Sequence, residues 1–107
     1  MRLAAVALAL LPATANASPD FTTARYICDR EVEIPATYIN SADGGLVVLH
    51  VDSTQITLLG EASASGARYG WPSDGSNYVW WTKGDTATLY WKTPEGEATL
   101  LTCAIKG

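Results

Sequence analysis

The sequence predicts an all-β domain, and three observations support that prediction. Beyond residue 17, no window shows apolar residues at sustained helical spacing. Short runs rich in Val, Ile, Thr, Tyr and Trp recur instead between turn signals. In the run from Thr86 to Lys92, apolar and polar residues alternate as they do in a half-buried strand. These features favour a barrel or a sandwich, and we predict a small antiparallel β-barrel of about eight strands.

Eight segments have the composition and length of strands. In chain order they are Ala24 to Cys28, Glu31 to Ile39, Leu46 to Val51, Gln55 to Glu61, Arg68 to Trp71, Asn77 to Thr82, Thr86 to Lys92, and Glu97 to Ala104. The connections contain turn residues, at Asp29-Arg30, Ser41 to Gly45, Asp52-Ser53, Pro72 to Ser76, Lys83 to Asp85, and Thr93 to Gly96. Pro35 lies inside the second segment, so we expect that strand to lie at an edge, to bend or to split there.

Alternation also predicts which side chains face the interior. Ala87, Leu89 and Trp91 share one face of the seventh segment, and we predict that this face is buried. Adjacent residues of a strand point to opposite sides, so at most one of Trp80 and Trp81 lies in the core. We expect the other to pack on the outer face under a loop.

The first 17 residues have the features of a secretory signal peptide. Arg2 gives the positive start, and Leu3 to Leu11 is a continuous apolar run too short to span a bilayer. Ala15-Asn16-Ala17 forms an A-x-A cleavage pattern before Ser18. We therefore predict a signal peptide over residues 1–17 and one mature domain over residues 18–107.

The cysteine content indicates a covalent cross-link in this small domain. Two cysteines in an exported chain, Cys28 and Cys103, permit a single disulfide. By the chain-entropy model, a loop of this length is stabilised by roughly 4 to 5 kcal/mol. A metal site is the weaker interpretation, because one His and two distant Cys do not make a zinc site.

The charge of the mature chain excludes some partners and favours others. Without Arg2 it has 6 Lys and Arg against 11 Asp and Glu, a formal charge of −5. Nucleic acid is therefore not an expected partner. A basic protein is compatible, because opposite net charges accelerate association. Modest acidity also serves solubility alone in many small proteins.

Enzymatic function has little support in the sequence. The single histidine, His50, lies in an apolar segment, and we interpret it as a hydrogen-bonded structural residue. There is no G-x-S-x-G motif, no phosphate-binding Gly loop, and no Cys left for nucleophilic catalysis once the disulfide forms. Acidic residues such as Glu95 and Glu97 are interpreted as solvated surface. We predict no catalytic residue, no cofactor and no metal.

Two short segments contain the strongest functional signal. They are Ser63-Ala64-Ser65-Gly66-Ala67-Arg68-Tyr69 and Tyr78-Val79-Trp80-Trp81-Thr82-Lys83-Gly84. They match S-G-x-x-Y and Y-x-x-x-T-K-G, so the chain resembles the periplasmic and membrane-bound inhibitors of chicken-type (c-type) lysozyme. A Tyr-x-Cys-Asp segment at Tyr26 to Asp29 extends the resemblance, which runs from Tyr26 to Cys103.

The resemblance implies a partner and a location. The partner is a c-type lysozyme, a class of basic glycosidase, and the function is protection of bacterial peptidoglycan. A lipoprotein of the family would need a Cys at the cleavage point, whereas the first Cys here is Cys28. We therefore expect the soluble, periplasmic branch of the family, without a membrane anchor.

The resemblance also implies which residues bind lysozyme. In the family, the Ser of the first motif and the Lys of the second insert into the active site, which correspond to Ser65 and Lys83 here. The remaining members of the predicted lysozyme-binding set are Gly66, Arg68, Tyr69, Tyr78, Thr82 and Gly84. We expect the glycines to supply special backbone angles and the tyrosine rings to pack while their hydroxyls find partners. Thr82 is expected to orient the Lys83 turn, and Arg68 to reach the partner or an acidic neighbour.

Strand direction gives a prediction that does not depend on the family. If consecutive strands are antiparallel, the turns that contain Ser65 and Lys83 lie at the same end of the barrel. We call this end the motif rim, and the opposite end, with Asp52-Ser53, the far rim. The same counting places Cys28 at the far rim and Cys103 near the motif rim. Either a strand count is wrong, or strong barrel tilt brings one Cys to mid-height.

The tryptophan content supports an alternative function of another class. The chain has four tryptophans, and exposed indoles stack on sugar rings in glycan-binding proteins. A periplasmic module that binds a glycan or small ligand is therefore the second hypothesis.

Overall fold

Eight antiparallel strands form a closed barrel in which each strand pairs with its neighbour in the sequence and the first pairs with the last. The computed structural model describes residues 20–42 and 44–106, and the predicted signal peptide lies outside them. The strands are β1 (Asp20–Cys28), β2 (Glu33–Ser41), β3 (Gly44–Val51), β4 (Thr54–Glu61), β5 (Ala67–Gly70), β6 (Asn77–Lys83), β7 (Thr86–Thr93) and β8 (Gly96–Ile105). All eight predicted strands are confirmed, and so is the predicted antiparallel barrel.

A short 3-10 turn, Asp29–Glu31, connects β1 to β2. It is the only helical segment among the described residues, none of which forms a helix long and apolar enough to cross a membrane.

The barrel closes through a short seam between β1 and β8. Only three residue pairs join these strands, from Tyr26 with Ile105 to Cys28 with Cys103, whereas eight pairs join β1 to β2. The seam is short because the tilted strands are staggered, so the last residues of β1 meet the last residues of β8. Barrel tilt therefore explains how Cys28 and Cys103 meet although strand counting placed them at opposite rims. The predicted count of eight strands is confirmed.

A disulfide crosses this seam. Cys28 and Cys103 are direct cross-strand partners with their Cα atoms 3.9 Å apart, and both are buried in the core. The carboxylate of Asp29 accepts a hydrogen bond of 2.8 Å from the backbone N–H of Thr102, one residue before Cys103. The Tyr-x-Cys-Asp segment thus holds the barrel closed.

The interior is filled by alternate residues of the strands. Ala87 and Leu89 are each 1% exposed, as predicted from alternation. Trp91 lies on the same side of β7 but is 37% exposed, so the prediction that it is buried is wrong. It lies two residues beyond Leu89, the last buried residue of β7, near the far rim, where the interior opens. There its ring packs edge-on against Tyr78, with 5.0 Å between ring centroids.

Pro35 does not split or interrupt β2, which is continuous through it. Its cross-strand partner in β1 is Arg25, whose carbonyl accepts a hydrogen bond from Lys106 and so points away from β2. The nitrogen of Pro35 must therefore point toward β3, because N–H and C=O of one strand residue share a side. The β2–β3 ladder begins at Ala36, so the missing N–H removes no ladder bond.

A polar aromatic cluster lies inside the barrel. The Tyr26 and Tyr38 hydroxyls are hydrogen-bonded at 2.6 Å, and the indole N–H of Trp80 donates to the Tyr38 hydroxyl at 2.9 Å. Tyr26 also packs edge-on against the Trp80 ring, with centroids 5.1 Å apart. Trp80 is fully buried. An unbonded indole N–H at this position would lower the free energy of unfolding by about 1–3 kcal/mol, and the bond to Tyr38 avoids that loss.

The buried tyrosines predict a loss of stability in alkaline solution. Burial raises the pKa of the Tyr38 hydroxyl far above its usual range, and burial also raises the pKa of Tyr69. Above about pH 10 the unfolded chain loses these protons while the folded chain keeps them. The free energy of unfolding should therefore fall above that pH, with Tyr38, the more strongly shifted group, contributing up to about 1.4 kcal/mol per pH unit. Urea unfolding between pH 7 and 11 measures this. Tyr38→Phe should show a shallower decline, and an equal decline in both proteins would contradict the assignment.

Candidate functional site

The two motif segments meet at one end of the barrel. The first occupies the loop between β4 and β5 and the start of β5, and the second occupies β6 and the turn that follows it. The start of β5 pairs with the end of β6, with Ala67 opposite Thr82 and Arg68 opposite Trp81. The prediction that Ser65 and Lys83 share a rim is confirmed.

Gly66 lets the first loop pack directly on the end of β6. Its φ of +66° is in the left-handed region that favours glycine. A Cβ at this position would overlap the carbonyl oxygen of Thr82 and would lie 2.9 Å from the Cγ of Lys83. Gly84 also has a left-handed φ, +58°, but no atom would lie within 4 Å of its Cβ. Both glycines therefore supply backbone angles as predicted, and Gly66 in addition supplies space.

Ser65 offers a free hydroxyl at this rim. The bond expected of a serine in such a turn is made by Ser63, whose hydroxyl donates to the carbonyl oxygen of Ser65. The side chain of Ser65 is exposed, and its hydroxyl bonds no other residue in the described part of the chain. Ser63 is not among the predicted site residues, although its position two residues before Ser65 fits a serine turn.

Lys83 offers an ammonium group beside the same loop. Its side chain is exposed at the end of β6, and Thr86 donates a hydrogen bond of 2.9 Å to its carbonyl oxygen across the turn. Its Nζ lies 4.7 Å from the ring centroid of Trp81. No carboxylate of residues 20–42 or 44–106 forms an ion pair with it. The ammonium is thus available to a partner.

Arg68 is bound to acidic neighbours on the outer face. Its Nε lies 2.6 Å from Glu61, and its terminal nitrogens form a bidentate pair with Glu97 at 2.6 and 3.2 Å. Hydrogen bonding to Glu97 raises the pKa of the Arg68 guanidinium. Of the two expectations for Arg68, the structure shows the acidic neighbour. Glu97 is exposed at the start of β8, as predicted for a surface residue, and its carboxylate pairs with Arg68.

The other predicted site residues lie in or beside the barrel wall. Tyr69 is buried, and Tyr78 is half-buried against Trp91, so the predicted ring packing is confirmed. No hydrogen bond joins either hydroxyl to another residue of the described ranges, so that part of the prediction is wrong. Thr82 donates a long hydrogen bond of 3.4 Å to the carbonyl of Ala67, which links the two motif segments.

The four tryptophans are divided between three environments. Trp80 is in the core and Trp81 is half-buried on the outer face, as the alternation rule requires. Trp71 and Trp91 are exposed and line a groove of about 380 Å³ below the short strand β5, together with Asn77 and Tyr78.

Titratable side chains form no metal-binding cluster in the described residues. No group of three or more His, Cys, Asp or Glu side chains is placed to hold a metal ion there. The prediction that His50 is a hydrogen-bonded structural residue is wrong, because its side chain is exposed on the outer face of β3.

Most of the chain matches a known protein family. Residues 26–98 match the family described as membrane-bound lysozyme inhibitor of c-type lysozyme. The chain belongs to this family. The matched range contains both motif segments and the Tyr-x-Cys-Asp segment, so the resemblance inferred from those residues is confirmed.

Relatives named as membrane-bound lysozyme inhibitors of c-type lysozyme occur in two bacteria. The one from Cupriavidus necator is 39% identical over 71 residues, which cover 66% of this chain and 54% of the relative. The one from Pseudomonas aeruginosa is 35% identical over 85 residues, covering 78% and 64%. The match thus spans between half and two thirds of each relative's own length.

A solved structure has the same fold. It is the crystal structure of Pseudomonas aeruginosa MliC in complex with hen egg white lysozyme, with 30% sequence identity and a TM-score of 0.64. The alignment covers 98% of this chain and all of that one. The neighbour is thus an inhibitor-family protein bound to a c-type lysozyme.

The contrast between Gly66 and Gly84 predicts unequal effects of alanine. Gly84→Ala should cost about 1 kcal/mol of unfolding free energy, since only the backbone angle is unfavourable. Gly66→Ala should cost about 3 kcal/mol or more, because the added methyl group also overlaps Thr82. Urea unfolding of the two variants measures the difference. Equal losses would show that the loop does not depend on close contact with β6.

Proposed function

We propose that this protein inhibits c-type lysozyme by inserting the motif rim into the active-site cleft. The observation that supports this most is the presence, at one rim, of an exposed hydroxyl and an exposed ammonium without carboxylate partners among the described residues, on Ser65 and Lys83. Family membership supports the same assignment. The protein carries out no reaction and needs no cofactor or metal, since occupation of the cleft is sufficient.

The chemistry of the target fits these two groups. A retaining glycosidase cleaves its substrate with two carboxyl groups about 5 Å apart, one protonated and one ionised. The Ser65 hydroxyl can donate one hydrogen bond and the Lys83 ammonium can donate three. An ammonium beside the catalytic acid also favours its ionised form, which cannot protonate the leaving group. The rim would therefore block the cleft and also hold the acid in its inactive state.

The six other predicted residues act as support in this proposal. Gly66, Gly84 and Thr82 shape the two turns, and Tyr69 and Tyr78 fill the wall beneath them. Arg68 is held by two carboxylates and contributes through the rigidity of the loop. The acidic net charge of the mature chain accelerates encounter with a basic enzyme.

We also propose that the protein is exported to the cell envelope and acts there in soluble, periplasmic form. The signal-peptide features of residues 1–17 support export. Cys28 is buried and disulfide-bonded in β1, which supports a structural role for this residue rather than lipid attachment. In this location the inhibitor would protect peptidoglycan from lysozyme that enters the envelope.

The second candidate function is a glycan-binding module. The groove with Trp71 and Trp91 favours it, because two exposed indoles lie together there. It lies away from the motif rim, so Ser65 and Lys83 take no part in it. Undiminished lysis of cell-wall suspensions at excess protein, together with retention on peptidoglycan, would favour this function over inhibition.

Removal of either inserted group should weaken inhibition. We expect Ser65→Ala and Lys83→Ala each to raise the inhibition constant by about 5-fold to 150-fold, equivalent to 1–3 kcal/mol for a lost charge-assisted hydrogen bond. The assay is lysozyme turnover of cell-wall suspensions at increasing inhibitor. The effect of Lys83→Ala should shrink at high salt, because the lost interaction is between charges.

Matched controls exist at the far rim. Ser76→Ala and Lys92→Ala remove the same groups from exposed or half-exposed positions remote from the motif rim and should leave inhibition unchanged. Full potency of both single motif variants and of the double variant would refute the assignment of the site. Unfolding curves that match the parent protein confirm that the variants are folded.

Export predicts a defined mature end. When the full chain is expressed in a Gram-negative host, the periplasmic fraction should contain a protein that begins at Ser18 and lacks a lipid. Intact mass measurement of that fraction tests both points. A product retained in the membrane with a lipid-sized mass increase would contradict the soluble form.

A further inference from the structure

The indole of Trp81 lies on the outer face of β6, between the two motif segments. Its neighbour Trp80 fills the interior, so Trp81 must point outward. Across the sheet it is paired with Arg68, and along β6 it shares its face with Lys83. Trp81 does not belong to the predicted lysozyme-binding set.

The edge of the Trp81 ring holds the Ser65 loop. Its Nε1–H donates a hydrogen bond of 2.9 Å to the carbonyl oxygen of Ser65, the residue whose hydroxyl is free. The hydrogen bonds of Ser63 are internal to the loop, so they shape it without attaching it to the wall. The Trp81 bond joins the backbone of this exposed loop to a regular strand.

The face of the same ring holds the cation of the second motif. The Lys83 ammonium lies 4.7 Å from the ring centroid, within the range of a cation–π interaction. The Arg68 guanidinium lies 5.2 Å from the centroid and is itself fixed by Glu61 and Glu97. One side chain thus contacts the hydroxyl-bearing loop, the ammonium and the ion-pair network beneath them.

We propose that Trp81 is a positioning residue that couples Ser65 to Lys83 and arranges both for insertion before lysozyme arrives. This inference deepens the proposed function and rests on it. Ordering a loop and a long lysine side chain on binding costs conformational entropy. Trp81 removes part of that cost in the free inhibitor, without contacting the catalytic carboxyls.

The first test separates the two contacts of the ring. Trp81→Phe keeps an aromatic face but removes the Nε1–H donor, and should weaken inhibition by about fivefold to tenfold. Trp81→Leu removes both contacts and should weaken it by about thirtyfold. Trp91→Phe, at an exposed indole remote from the motif rim, is the matched control and should have no effect.

A double-mutant cycle tests the coupling itself. If Trp81 acts by positioning Ser65, Trp81→Phe should have little further effect on inhibition in a Ser65→Ala background. A purely structural role would lower inhibition by the same factor in both backgrounds, and that result would overturn the inference. Wild-type inhibition by Trp81→Phe would overturn it as well.

Hydrogen exchange of the indole N–H groups gives a readout that does not require lysozyme. In the free parent protein the Trp80 and Trp81 signals should exchange slowly, because both donors are bonded, and the exposed Trp71 and Trp91 signals quickly. Fast exchange at Trp81 would overturn the inference even if its variants fold poorly. Unchanged inhibition by Ser65→Ala and Lys83→Ala, with slow exchange at Trp81, would instead refute the proposed function and leave the Trp81 contact standing.

Discussion

The barrel depends on one short seam. All pairings but one join strands that are consecutive in the sequence, so they form as hairpins with little loop-closure entropy. The exception is the β1–β8 seam, which brings together residues 75 positions apart through only three pairs. The Cys28–Cys103 disulfide and the bond from Thr102 to Asp29 both lie at this point. They supply the closure that so short a ladder would not hold by itself.

The motif rim is also tied to the last strand. Glu97 of β8, held opposite Lys92 of β7, pairs with Arg68, whose guanidinium in turn lies over Trp81. Glu97 of the last strand thus fixes Arg68, which packs against the Trp81 ring that is hydrogen-bonded to the Ser65 loop. The rim is therefore supported from three sides: by Gly66 against Thr82, by the indole of Trp81, and by the Arg68 ion pairs. A rigid rim of this kind suits the proposed insertion, since little order remains to be imposed on binding.

Local features of the sequence were sufficient for much of this architecture. Strand composition and turn residues located all eight strands, and strand direction alone brought Ser65 and Lys83 to a common rim. The features that the sequence did not predict depend on the stagger of the strands and on the position of a residue along the barrel axis. The meeting of Cys28 with Cys103 near the ends of two tilted strands follows from the stagger, and so does the partnership of Arg68 with Glu97. Trp91 has the right alternation for the core but lies where the barrel opens, and alternation carries no information on height. The bridging position of Trp81 between two loops likewise requires three dimensions.

The brevity of β5 makes the barrel wall uneven. This strand has three pairs with β4 and three with β6, and it ends at Gly70 while β6 begins only at Asn77. The first residues of β6 therefore lack a β5 partner, and that side of the wall is open as the groove with Trp71 and Trp91. Local opening in native conditions should begin in this half, because it contains the fewest ladder bonds. Thermal fluctuations would then be concentrated at the far rim, while the motif rim, the end proposed to enter the enzyme cleft, stays in its folded geometry.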